Sequence, residues 1–345
     1  MSRKSLSILI PTKRPLSASL PAISKGVKLS SHAQIVISDN SGDKKKSIIL
    51  EELKEYYGLD LIKPSISTGA PENFRNCLSR AKGDYCLFFA DDDDVVPSSL
   101  EKIILSLPNS VDHSVAGYTG DYIVVNPRQR FFHRYKDLNH QSELKRTINF
   151  LNSGPTNFLF YSIWRKNYLE QSLEMLNILP LDFPYRDWIF CFYLLLQGRI
   201  VKKDVPFYNY NTLNWINGGG EEIFSNSFRE LGISFRLRPL VPLMVGMEGL
   251  YLVNYINRRN LHNRTNDIKF SGFYWLKWWA VRFLKRKGDY QAPEPLKSAV
   301  LEFVRSDSVC VGESAENCSL SLVETLRQIG GQNISEYCDF FAKRL

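Results

Sequence analysis

The stretch "YCLFFADDDDVVPSSL", residues 85–100, decides the fold. Six residues that favour burial, Tyr85 to Ala90, run directly into four consecutive aspartates, Asp91 to Asp94, with Pro97 and two serines behind them. Each ionised carboxylate raises the pKa of its neighbours, so four of them at the end of an apolar strand need compensation. One reading is a cation held between the carboxylates. The other is an exposed acidic turn that favours the N-terminus of the following helix.

Working outward, strands and helices alternate over residues 5–100. "LSILI" (Leu6–Ile10) is a short buried strand ended by Pro11, and "AQIVIS" (Ala33–Ser38) a second, closed by the turn "DNSGD". "LDLIKP" and "DYCLFFA" supply a third and a fourth. Between them lie helical patterns: "PLSASLPAISKGV", interrupted by Pro21; "KKKSIILEELKEYYG", with Gly58 as its stop; and "APENFRNCLSRAKG". "PSSLEKIILSL" is the helix after the aspartates. Such alternation predicts βαβ units, a mostly parallel central sheet flanked by helices, and ligand binding at the carboxyl ends of the strands. Asp39, after the second strand, and Asp91–Asp94, after the fourth, therefore share one sheet edge. Residues 115–235 are mixed, with "DYIVV" as a strand and "DWIFCFYLLLQG" as an apolar helix. From about 236 onward the pattern is helical, which predicts two domains, 1–235 and 236–345.

Bulk properties narrow the function classes. A chain of 345 residues, 44% apolar and 23% charged, is that of a folded soluble protein. Its longest apolar stretches, Trp188–Leu196 and Leu240–Ile256, are short or broken by Gly246, Glu248 and Gly249, so no membrane span is expected. The N-terminus has no signal-peptide pattern, and a cytoplasmic protein is expected. The six cysteines form no CxxC pair and no zinc-ligand spacing, which predicts reduced structural thiols. The net charge of +8 concentrates in residues 256–290 and points to phosphate-rich partners. Nucleic acid is not expected, because no recognised binding motif accompanies that charge. Neither GxxxxGK[ST] nor GxGxxG occurs, so phosphates must be held without a glycine-rich loop, and a divalent cation on carboxylates is the obvious substitute.

Four pieces, "SILIPT" (7–12), "IVISDNSGD" (35–43), "NFRNCLSRAKGDYCLFFADDDD" (73–94) and Pro97–Leu100, together resemble a family 2 glycosyltransferase of the GT-A fold, over roughly residues 5–215. The resemblance implies transfer of a sugar from a nucleotide-diphosphate donor with Mn²⁺ or Mg²⁺. Pro11 and Thr12 would lie against the nucleotide, and Asp39 would accept a hydrogen bond from its base. The metal ligands would be Asp91 and Asp93, with Asp91 or Asp92 contacting the ribose or a metal-bound water. Counting back from Pro97 makes Asp92–Asp93 the family's Asp-Asp pair. The family's usual Pro-Thr-aromatic-Asn-Arg is shortened here to "PTKRP".

An inverting member also needs a carboxylate that deprotonates the acceptor hydroxyl. Asp187, opening the apolar helix 188–197, matches the second residue of the family's Glu-Asp pair, with Arg186 in place of the first. Asp187 serves equally as a helix cap, and Asp182 is the alternative base. Arg128, Arg130, His133 and Arg134 are candidates for the leaving diphosphate. "NTLNWINGGGEE" (211–222) is either a lid or a linker.

On a helical wheel, Phe273, Leu276, Trp279, Ala280, Phe283 and Leu284 share one face, while Trp275 and Trp278 turn towards Arg282, Lys285 and Arg286. Residues 273–287 therefore read either as an interfacial helix at a membrane surface or as a core helix with a solvated basic side. The implied acceptor is a hydroxyl of a glycan or lipid-linked molecule in cell-surface polysaccharide or O-antigen assembly. A sugar-nucleotide nucleotidyltransferase and a non-catalytic binding module of the same fold are the competing classes.

Overall fold

The computed structural model describes residues 5–108, 112–126, 128–154, 156–179, 186–213, 219–230, 234–259, 266–285, 293–306, 313–329 and 331–342. The chain divides into two compact units. The first comprises Met1–Asn139, Thr156–Glu174 and Gln197–Asn217; the second comprises His140–Pro155, Met175–Leu196 and Gly218–Leu345.

The first unit holds the sheet. Its strands are β1 (Leu6–Thr12), β2 (Gln34–Asp39), β3 (Asp60–Ile62), β4 (Tyr85–Phe88), β5 (Asp94–Val95), β6 (Val115–Val125), β7 (Arg130–His133), β8 (Ile163–Arg165) and β9 (Arg199–Asn211). They lie in the order β3-β2-β1-β4-β8-β6-β9-β5, with β7 paired to β6. The pairs β3-β2, β2-β1 and β1-β4 are parallel, as the βαβ pattern predicts. Beyond β4 the sheet is mixed: β8 is antiparallel to both neighbours, whereas β6 and β9 are parallel. The core strands are apolar on both faces, and Leu6, Leu9, Ile10, Val36, Ile37, Leu87 and Phe88 are all fully buried, as a helix-covered parallel sheet requires.

The helices are α1 (Leu16–Val27), α2 (Lys44–Tyr57), α3 (Ala70–Arg80), α4 (Pro97–Leu105), α5 (Glu143–Asn152), α6 (Lys166–Leu176), α7 (Arg186–Gln197), α8 (Gly219–Glu230), α9 (Val241–Arg259), α10 (Asn266–Leu284), α11 (Glu294–Arg305), α12 (Glu313–Ile329) and α13 (Gly331–Ala342). Pro21 sits inside α1 without ending it. Helix α2 starts at Asp43, whose carboxylate accepts from the backbone N–H of Lys45 and Lys46, and stops at Gly58 in the left-handed region at φ 65°. Asp43 also accepts from the Leu16 N–H at 3.0 Å, so one carboxylate ties together the starts of α1 and α2. Those three N–H donors, that of Leu16 foremost, hold the Asp43 carboxyl below its usual range.

The second unit is helical, and its centre is aromatic. Trp275 stacks on Phe192 (centroids 4.3 Å apart), and Trp279 meets Trp188 edge-on at 5.2 Å. Arg146 of α5 is 1% exposed and donates to the carbonyls of Leu195, His140 and Gln141. The wheel reading of α10 needs correction at Trp275, which is fully buried with its Nε1–H bound to the Val245 carbonyl at 2.9 Å. The physical reason is Gly249, which gives that indole room against α9. Trp278 does keep to the basic side, under the guanidinium of Arg282 at 4.6 Å. Phe235–Ile256 is, by length and composition, able to cross a membrane, contrary to the expectation from sequence; 78% of its apolar window is buried inside the protein. The broken appearance at Gly246 and Gly249 is helix–helix contact instead, since a Cβ at either would collide with Leu276 or Trp275.

Candidate functional site

Parallel pairing brings the sequence-predicted residues to one sheet edge. Register sets Thr12, the last residue of β1, beside Asp39, the last residue of β2. The Thr12 hydroxyl then donates to Asp91 Oδ2 at 2.5 Å, which joins the end of β1 to the acidic run after β4. Thr12, Asp39, Asp91 and Asp93 are all buried, while Asp92 and Asp94 are half-buried.

The carboxylates find cations within the chain. Arg14 donates through Nε to Asp91 Oδ1 at 3.0 Å and through a terminal nitrogen to Asp92 Oδ2 at 2.6 Å. Lys25 of α1 reaches Asp94 at 2.5 Å, and Lys46 of α2 reaches Asp39 at 3.0 Å. Fixed carboxylates at a buried strand end are tolerable on these terms, because Asp39, Asp91, Asp92 and Asp94 each face a positive group within 3.0 Å.

Asp93 differs from its neighbours. Its Oδ2 accepts from the Tyr208 hydroxyl at 2.8 Å, and its Oδ1 accepts from the Asn211 backbone N–H at 2.7 Å. Both donors come from β9, so Asp93 faces the sheet. Burial pushes its pKa up to about 8, with Asp92 adding to the shift; the Asn211 and Tyr208 bonds oppose it. Asp91 and Asp93, the ligand pair implied by the resemblance, thus look in different directions: one towards Thr12 and Arg14, the other into β9.

A cation site can be tested against this geometry. Among the described residues no group of three or more His, Cys, Asp or Glu side chains converges as a metal cage. Two carboxylates do converge, Asp91 and Asp92, on one positive centre, the Arg14 guanidinium, whose side chain is 41% exposed. One or two carboxylates plus substrate phosphates and water is the way Mg²⁺ is usually held, so this pair fits a divalent cation that arrives with a diphosphate.

Asp187 lies in the first turn of α7 in the second unit, with Oδ1 accepting from the Trp188 N–H at 2.9 Å. Arg186, beside it, donates to the carbonyls of Leu176 and Leu179. Asp182 lies outside the described residues, as do positions 214–218 of the expected lid or linker. Of the basic candidates for the diphosphate, Arg134 is paired with buried Asp121 at 2.8 Å. His133 is buried against Thr156 Oγ1, and burial pushes its pKa down to about 4, which leaves it neutral. Arg130 is exposed on β7.

Sequence reasoning missed Lys25, Lys46, Tyr208, Asn209 and Asn211. Lys25 and Lys46 lie in helical stretches whose sequence does not mark which lysine turns inward, and the three β9 residues lie more than a hundred positions from the aspartates they hold.

Residues 7–172 match the family model described as glycosyl transferase family 2. The chain is similar to the abequosyltransferase RfbV of Salmonella typhimurium, 30% identical over 112 residues, a match covering 31% of this chain and only 34% of that protein. Among solved structures it is similar to TarS 1–349 of S. aureus, with 96% of this chain and 82% of that one aligned at TM-score 0.51 and 13% identity, a likeness of fold. The same protein in complex with UDP-GlcNAc aligns over 94% of this chain and 91% of its own at TM-score 0.44 and 15% identity.

Proposed function

We propose, from the match of residues 7–172 to the glycosyl transferase family 2 model and from the GT-A-like sheet, that this chain is an inverting transferase of that family with a nucleotide-sugar donor. It moves a sugar from a nucleotide-diphosphate sugar to a hydroxyl of a glycan or lipid-linked acceptor, in cell-surface polysaccharide or O-antigen assembly. The observation that carries this reading is the 2.5 Å bond from Thr12 to Asp91, beside Asp39 on the neighbouring strand end. It brings Thr12, Asp39 and the acidic run to one edge, where ligands of parallel sheets bind.

In this reading residues 1–235 carry the chemistry and 236–345 form a helical region that supports contact with the acceptor or a membrane surface. Pro11 and Thr12 lie against the nucleotide, and Asp39 accepts from its base. Asp91 and Asp92 are the pair that would hold Mn²⁺ or Mg²⁺, and Asp93 keeps their turn in place from behind. A divalent cation there would supply charge stabilisation for the departing diphosphate. Arg14, exposed on one side, contributes a second positive group to the same oxygens. Asp187 takes the proton from the acceptor hydroxyl as its oxygen attacks the anomeric carbon, and the bond to the nucleotide diphosphate breaks on the opposite side. The basic side of α10 supports a position at the cytoplasmic face of a membrane.

Two experiments test the reading. A thermal-shift screen of nucleoside diphosphates and sugar nucleotides, with and without Mn²⁺, should show metal-dependent stabilisation by at least one. Asp187→Asn should abolish sugar transfer while that stabilisation persists; unchanged turnover would remove Asp187 from the role of base.

A further inference from the structure

Lys46 is the third residue of α2 and the only one of Lys44, Lys45 and Lys46 that is buried, at 0% exposure. An ammonium at that depth is costly unless its protons are matched. Nζ donates to Thr12 Oγ1 at 2.6 Å and to the Arg14 carbonyl at 2.8 Å, and it forms an ion pair with Asp39 Oδ1 at 3.0 Å.

Those partners fix more than the lysine. Asp39 Oδ1 takes a second bond, from the Ser41 N–H at 3.2 Å, while Oδ2 receives none among the described residues. The Asp39 side chain is 4% exposed, so a carboxylate sits in a nearly closed place with one oxygen saturated and the other open. Thr12 is set in the same way. Its hydroxyl proton goes to Asp91 Oδ2, so its oxygen must accept from Lys46. The same ammonium also holds the carbonyl of Arg14, the residue whose guanidinium joins Asp91 to Asp92.

We propose that Lys46 is a positioning residue of the donor site. Its ammonium locks Asp39 with Oδ2 free to accept a ring N–H of a nucleobase, and through Thr12 and Arg14 it couples that acceptor to the carboxylates at Asp91 and Asp92. A base with a ring N–H at its recognition edge, uracil, thymine or guanine, suits an ionised acceptor. Cytosine and adenine present a ring nitrogen lone pair there and do not. The inference rests on the donor reading above and adds to it the group that sets base selectivity.

The test is calorimetric titration of the full chain with UDP, TDP, GDP, CDP and ADP in the presence of Mn²⁺. The wild type should bind at least one of the first three in preference to CDP and ADP. Lys46→Met should weaken that diphosphate by about tenfold or more, the scale of one charge-assisted hydrogen bond, and should narrow the gap between the bases. In an Asp39→Asn background the same substitution should shift base preference no further, because the group Lys46 positions is already altered. If Lys46→Met alone does not fold, Asp39→Asn/Lys46→Met, which removes both buried charges, is compared with Asp39→Asn. An equal loss for all five diphosphates, or an unchanged preference in Lys46→Met, overturns the inference and leaves the donor reading standing. A wild type that binds none of the five overturns the donor reading, and the inference with it.

Discussion

Tyr208 offers the sharpest test of how the acidic run is held. Its ring is fully buried, stacked on Tyr161 with centroids 5.0 Å apart, so Tyr208→Phe keeps the packing and deletes one oxygen. That oxygen serves two groups: it donates to Asp93 Oδ2 at 2.8 Å and accepts from the Ala90 N–H at 3.2 Å. Removing it leaves a backbone donor and a buried carboxyl oxygen each short of a partner. Stranding a buried polar group costs about 1–3 kcal/mol, so the two together predict a loss of about 2–6 kcal/mol. Urea denaturation gives the number directly, from the shift in midpoint at unchanged slope. Tyr168→Phe is the control, since its hydroxyl only touches the His113 carbonyl at 3.3 Å on the surface, and it should stay within about 0.5 kcal/mol of the wild type. A Tyr208→Phe protein as stable as that control would refute the view that β9 holds the aspartates from behind. Catalysis should suffer along with stability, because the turn carrying Asp91 and Asp92 loses its rear support.

Three further outcomes follow from the structure. Gly249→Ala would place a methyl 2.2 Å from Cδ1 of Trp275, an indole pinned by its bond to Val245 and its stack on Phe192; even after a helix-propensity gain of about 1 kcal/mol, thermal unfolding should show a net loss of about 1–3 kcal/mol. Arg146→Met strands the carbonyls of Leu195, His140 and Gln141 and should cost about 3–5 kcal/mol by the same denaturation assay. His133 is held neutral in the folded state, with its pKa lowered from 6.5 to about 4, so its contribution to stability is fully present above pH 6.5 and is lost as pH falls towards 4. His133→Gln should therefore flatten the fall in stability between those two pH values, measured as the difference between the two proteins; parallel curves would show that His133 titrates normally.

The parallel half of the sheet and the edge that collects Thr12, Asp39 and Asp91 were legible in the sequence, because a strand's carboxyl end is marked by where its apolar run stops. What the sequence hides is the answer to the electrostatic problem it poses. Lys46 sits in "KKKS", where three identical charges give no sign of which one the helix turns inward, and only the cap at Asp43 decides it. Asp93 reads like its neighbours but turns into β9, since alternation along the turn depends on partners far away in the chain. Trp275 was assigned to the polar side by angle alone, whereas the space left by Gly249 draws it into the core. The mixed continuation of the sheet beyond β4 was also out of reach, for β8 is a three-residue strand with no pattern of its own.

The interleaving of the two units bears on how the protein is made. The chain passes from one unit to the other at 139/140, 155/156, 174/175, 196/197 and 217/218. When residue 217 leaves the ribosome, the sheet unit is complete, but Phe150, Trp188, Phe190 and Phe192 belong to a unit most of whose residues are still untranslated. At about 5–20 residues per second, the remaining residues, 218–345, take roughly 6–25 s to arrive, a long interval for so much aromatic surface to wait without its partners. Nascent chains stalled in that window should be the ones that recruit chaperones. A chain ended at residue 235 would stay in that state, with the Trp275 and Trp279 partners of Phe192 and Trp188 never made.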